Sequence, residues 1–62
     1  MKVNDYRIKR IAHNIKLKEV AEAIGISAPH LCRFEKGHVM LGYELVRKYK
    51  KYIDEMVENA QR

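Results

Sequence analysis

His13, His30, Cys32 and His38 are the residues of this chain whose types could ligate a metal or pair a nucleophile with a base. Their spacing supports neither chemistry. Zinc sites draw on ligands paired at short, regular intervals, and a lone cysteine supplies too few. His30 and Cys32 are two positions apart, so on a helix they point in different directions. No acid–base constellation surrounds Cys32, and 62 residues leave no room for a pocket-forming second domain. The expectation is therefore no metal, no cofactor and no enzymatic activity. One cysteine also excludes an internal disulfide framework and fits a reducing, intracellular setting.

The cations point elsewhere. Thirteen Lys and Arg stand against eight Asp and Glu, a formal net charge of +5. Lys2, Arg7, Lys9, Arg10, Lys16 and Lys18 face only Asp5 in the first eighteen residues. Arg47, Lys48, Lys50 and Lys51 form a second basic block after Lys36. Such a balance suits a polyanion, either nucleic acid or an anionic membrane surface. The last segment turns acidic at Asp54, Glu55 and Glu58, which argues against a membrane surface. The longest apolar run, 39–41, cannot span a bilayer, and no apolar leader opens the chain.

Four helices are predicted to carry these groups, and no alternating run suggests a strand. Asn4 or Asp5 caps the first, with Ile8, Ile11, Ala12 and Ile15 as its inward stripe and Asn14 as its stop. The second runs over 16–24, with Val20, Ala21 and Ile24 inward and Gly25 as terminator. Ser27 caps the third, Pro29 sits in its first turn, Leu31 and Phe34 face inward, and Gly37 closes it. The last begins at Gly42 or Tyr43 and is unbroken to residue 58.

The connection 24–27 carries the most information. About three residues between two short helices is the spacing of a helix-turn-helix. Ala21 must be small where the helices cross, and Gly25 must reach positive φ. Val20, Ile24, Ile26, Leu31 and Phe34 must be apolar to lock the pair, and every one is.

Residues 17–37, LKEVAEAIGISAPHLCRFEKG, resemble the helix-turn-helix of phage repressor, Cro and related bacterial regulators (the XRE family). The shared pattern is apolar-Ala-x-x-apolar-Gly-apolar-Ser followed by a helix ending Glu-x-Gly. Helix one extends the likeness to roughly residues 3–37. The resemblance implies an all-α, lambda-repressor-like fold of four to five helices, here a single domain over 1–62 with a long C-terminal helix.

It also implies a role for helix three, which in that family lies in the major groove. By position, Ala28, Pro29, Cys32 and Arg33 would face bases. Arg33 suits guanine O6 and N7, or else clamps a phosphate. Ala28 and Pro29 suit a thymine methyl, or else only start the helix. Lys16, Lys18, Ser27, His30, Lys36 and His38 are the candidates for phosphate contact. Arg10 and Glu35 would join helix one to the end of helix three. The departures are Lys16 and Leu17, where the family has a hydroxyl cap and Gln, and the apolar loop 38–42.

Leu45, Tyr49, Tyr52 and Met56 exceed what so small a core absorbs, which predicts a homodimer interface; the alternative is that they close the monomer core. Tyr43, Tyr49 and Tyr52 could also stack on single-stranded bases. The reading that follows is a cytoplasmic or nucleoid-associated bacterial or phage repressor that binds a near-palindromic duplex operator, with no small-molecule effector. The alternative is a protein-interaction module of the same fold, of antitoxin or anti-repressor type.

Overall fold

The computed structural model describes residues 3–60, with side-chain environments for 5–59. Four helices follow in order: α1 (Val3–Ala12), α2 (Leu17–Ile24), α3 (Ala28–Glu35) and α4 (Tyr43–Ala60). The fold is all-α, with α2 and α3 in a helix-turn-helix arrangement and α4 as a long C-terminal helix. Helix α2 packs against both α3 and α4, and α1 lies against α3 and α4. The α2–α3 unit thus rests on a platform made by the first and last helices.

Three of the four helices end in the same way. Asn14 (φ 57°), Gly25 (φ 85°) and Gly37 (φ 82°) take the left-handed conformation. After each, the next N–H reaches back five residues: Ile15 to Arg10 O at 3.0 Å, Ile26 to Ala21 O at 3.0 Å, and His38 to Arg33 O at 2.9 Å. This is the Schellman closure, which satisfies carbonyls that a helix end would leave bare. Helix starts differ. The Ser27 Oγ accepts the His30 N–H at 3.3 Å, whereas Lys16 stands at the start of α2 with no side-chain cap.

The core is Tyr6, Ile15, Val20, Ala21, Ile24, Leu31, Phe34, Tyr49, Ile53 and Val57. Val20, Leu31, Tyr49 and Ile53 are completely enclosed. On α4 the buried positions fall at 49, 53 and 57, the one-turn spacing that puts side chains on one face. Phe34 meets Tyr49 edge to face, with ring centres 5.5 Å apart.

Helix α1 departs from the sequence expectation. Ile8 and Ile11 are 58% and 52% exposed, and Ala12 is exposed as well. The buried face of α1 carries Tyr6 and Arg10 instead. The reason lies in the neighbours: that face meets two carboxylates, Glu35 of α3 and Asp54 of α4, so it needs donors rather than aliphatics. The helix stops at Ala12, and Ile15 enters the core from the loop. Asn4 and Asp5 lie within α1 rather than before it. The loop 38–42 divides its apolar residues: Val39 and Leu41 pack on the core, while Met40 is 93% exposed.

Candidate nucleic-acid interface

Helix α3 separates its residues by face. Leu31, Phe34 and Glu35 are buried. Pro29, Arg33 and Lys36 follow at i, i+4 and i+7 and are all exposed, with Ala28 and Cys32 half-buried along the edge. Lys36 keeps a right-handed helical backbone (φ −84°, ψ −4°), so it continues the stripe past the last helical residue. Among the described residues the Arg33 guanidinium takes part in no hydrogen bond or ion pair. Its five donors are free for an external acceptor.

The orientation of this stripe is fixed from behind. The Glu35 carboxylate accepts from Arg10 Nε at 2.8 Å and Arg10 Nη2 at 2.9 Å, a two-pronged pair. It also accepts from the Tyr49 hydroxyl at 2.6 Å. Arg10 Nη1 donates to the Ile15 carbonyl at 2.8 Å. Arg7 approaches Glu35 to 4.0 Å. One residue at the end of α3 is therefore bonded to α1 and α4 at once. Burial, then the neighbouring Glu35 carboxylate, pushes the Tyr49 hydroxyl far above the ordinary tyrosine range, so it stays a donor. No buried side-chain polar atom among the described residues lacks a partner.

Two further polar ties hold α4. The Tyr6 hydroxyl donates to Asp54 at 3.0 Å, and Lys9 Nζ donates to the same carboxylate at 2.6 Å. The Tyr52 hydroxyl donates to Glu19 of α2 at 2.6 Å. That bond, with some burial, raises the Tyr52 hydroxyl to about 12. Sequence reasoning missed Tyr6, Lys9, Asp54 and Glu19 as tying residues. Their partners lie 33 to 48 positions away, beyond any local spacing rule.

The remaining named positions divide clearly. Lys16, Lys18, Ser27, His30, Lys36 and His38 are all exposed. Lys16 and Lys18 are at the start of α2, Ser27 and His30 at the start of α3, and Lys36 and His38 at its end. On α4, Tyr49 is completely buried and bonded to Glu35, so it cannot belong to a surface between two copies. The same burial removes it from any base-stacking role. Leu45, Tyr52 and Met56 are half-buried and packed against the monomer core, leaving only their outer edges free. No cluster of His, Cys, Asp or Glu able to hold a metal occurs among the described residues. No described helix is long and apolar enough to cross a membrane.

An exposed helix face aimed outward by a second helix and a rigid turn defines a helix-turn-helix protein. The helix-turn-helix family model matches residues 7–55, more than half of the chain, and the chain belongs to that family. The match takes in α2, α3 and parts of α1 and α4, and the fold suggests a DNA-binding regulatory role. Neither a curated protein nor a solved structure matches the chain.

Proposed function

We propose that this protein is a sequence-specific transcriptional regulator that inserts α3 into the major groove of duplex DNA and represses by occluding a promoter. The observation that carries the reading is the outward stripe of α3, on which Arg33 is unpartnered among the described residues and whose end is held by the buried Arg10–Glu35–Tyr49 network. Pro29, Arg33, Ala28 and Cys32 would meet base edges. Lys16, Lys18, Ser27, His30, Lys36 and His38 would meet phosphates on either side, where contacts position the helix without reading sequence. The likeness of residues 17–37 to phage repressor and Cro proteins supports the same reading. Two copies on a near-palindromic operator would set their α3 helices about 34 Å apart, in successive major grooves.

A second reading draws on a different observation. Met40 in the loop 38–42 and Tyr43 at the start of α4 are 93% and 79% exposed, and Ile8 and Ile11 lie open on α1. These side chains suit a protein partner, as an interaction module of the same fold would need.

Selection of binding sites from random duplex DNA, followed by a salt titration, separates the two. A regulator yields an enriched motif and loses affinity steeply with salt, by about 0.9 in log–log slope per phosphate neutralised. Lys18→Ala should lower that slope by about one and weaken all sequences alike. Arg33→Ala should relax the preference at one base pair. Binding to a protein with no enriched duplex motif would leave the interaction module as the function.

A further inference from the structure

The exposed stripe of α3 is unusual in what it lacks. Ala28 and Pro29 carry no polar side-chain atom, and the Cys32 thiol is a weak hydrogen-bonding group. Arg33 and Lys36 only donate. The Ser27 hydroxyl is already engaged as the cap of α3, accepting from the His30 N–H. His30 follows Pro29 by one position, a rotation of about 100° that sets it on the flank of the helix. The stripe therefore presents no strong acceptor to a base edge. In the major groove, cytosine offers an N–H donor, adenine a donor beside an acceptor, guanine two acceptors, and thymine an acceptor and a methyl group. A surface of donors and apolar carbon has favourable contacts for guanine and for the methyl. It has none for the amino groups of cytosine and adenine.

The spacing links the two contacts. Pro29 and Arg33 are one helical turn apart, about 5–6 Å along the axis, which is less than two base-pair steps of about 3.4 Å. The methyl under Pro29 and the guanine under Arg33 must then be near neighbours. Resting on the DNA-binding reading above, we infer that α3 reads a pyrimidine C5-methyl group within two base pairs of a guanine. It reads the methyl as such, so that 5-methylcytosine serves in place of thymine at that position.

The selected duplex tests this by chemistry on the DNA alone. Deoxyuridine replaces each thymine in turn, and cytosine or 5-methylcytosine is placed at the position that responds. One thymine within two base pairs of the Arg33-dependent guanine should lose about three- to fivefold in affinity as uracil, the effect of one buried carbon. Cytosine there should weaken binding at least as much, and its 5-methyl form should bind about three- to fivefold tighter than cytosine. In Pro29→Ser, with helicity checked by circular dichroism, the thymine-to-uracil ratio at that position should fall to near one. Specific binding that is indifferent to uracil at every thymine overturns the inference and leaves the DNA-binding reading standing. So does an Arg33-dependent base pair that is not guanine. Failure to enrich any duplex sequence overturns both.

Discussion

Glu35 concentrates more of this molecule's polar energetics than any other described side chain. Its carboxylate is 3% exposed and is met by both prongs of Arg10 and by the Tyr49 hydroxyl. Taking two charges out of water is costly, so the pair is best understood as fixing geometry rather than as a large net stabiliser. Removing one partner is a different matter, because the other stays buried and uncompensated. Glu35→Ala should cost about 3–5 kcal/mol. A domain of this length has roughly 3–9 kcal/mol in total, so urea melts should show a chain at or beyond the edge of folding. Tyr52 gives a milder prediction. The hydrogen bond that its hydroxyl donates to the Glu19 carboxylate pushes it up to about 12, above the ordinary value of 10.0. A raised value means stability that is complete below about pH 10 and is lost as pH rises towards 12. Wild type should therefore lose more stability than Tyr52→Phe between those limits, and parallel losses in alkaline denaturant melts would remove the role given to this bond.

At the scale of elements, the turns decide where α3 points. Gly25 sits at φ 85° with nothing within 4 Å of where a Cβ would stand. Gly25→Ala should thus cost about 1 kcal/mol through backbone strain alone, with no steric penalty added. Gly42 is a contrast: its φ is not in the left-handed range, and it also has open space around it. Its carbonyl accepts the Val46 N–H at 3.0 Å, which makes it the residue capping the start of α4. Gly42→Ser should add a few tenths of a kcal/mol by capping that helix. Differential scanning calorimetry on the two variants would show melting shifts of opposite sign. A Gly42→Ser protein that melts below wild type would remove the capping role of that position, and a Gly25→Ala protein that melts above wild type would remove the backbone strain.

For the whole molecule, the constraint is size. The Cα radius of gyration is 10.7 Å, close to the roughly 11 Å expected for a fully packed chain of this length. Leu45, Tyr52 and Met56 are largely spent on the monomer core. An association surface would therefore draw on exposed apolar residues outside that stripe, such as Met40 in the loop 38–42 and Tyr43 at the start of α4. Met40→Ser with Tyr43→Ser should change monomer stability by no more than about 1 kcal/mol in total, as surface substitutions do. Sedimentation equilibrium with and without operator DNA should show whether the pair dissociates a dimer; an unchanged mass would place association elsewhere.

By itself, the sequence determined the parts of this protein that depend on neighbours along the chain. Periodicity gave α2 and α3 with their buried faces, and the extent of α4. Asn14, Gly25 and Gly37 marked the turns because few other residues reach positive φ. The outer side of α3 was implied by the family likeness, and the one-turn spacing of Pro29 and Arg33 agrees with it. Tertiary structure alone decided what faces what across long separations. Helix α1 shows the difference most plainly. The family likeness paired Arg10 with Glu35, and that pair is present. The aliphatics of α1, however, suggested an apolar inner face, whereas Tyr6 turns inward to Asp54 and Ile8 and Ile11 turn out. Tyr49 is the second case: its ring is enclosed in the core against Phe34, and its hydroxyl is satisfied by a carboxylate fourteen residues away. A helical repeat records which residues share a face. It does not record the polarity of whatever that face will meet.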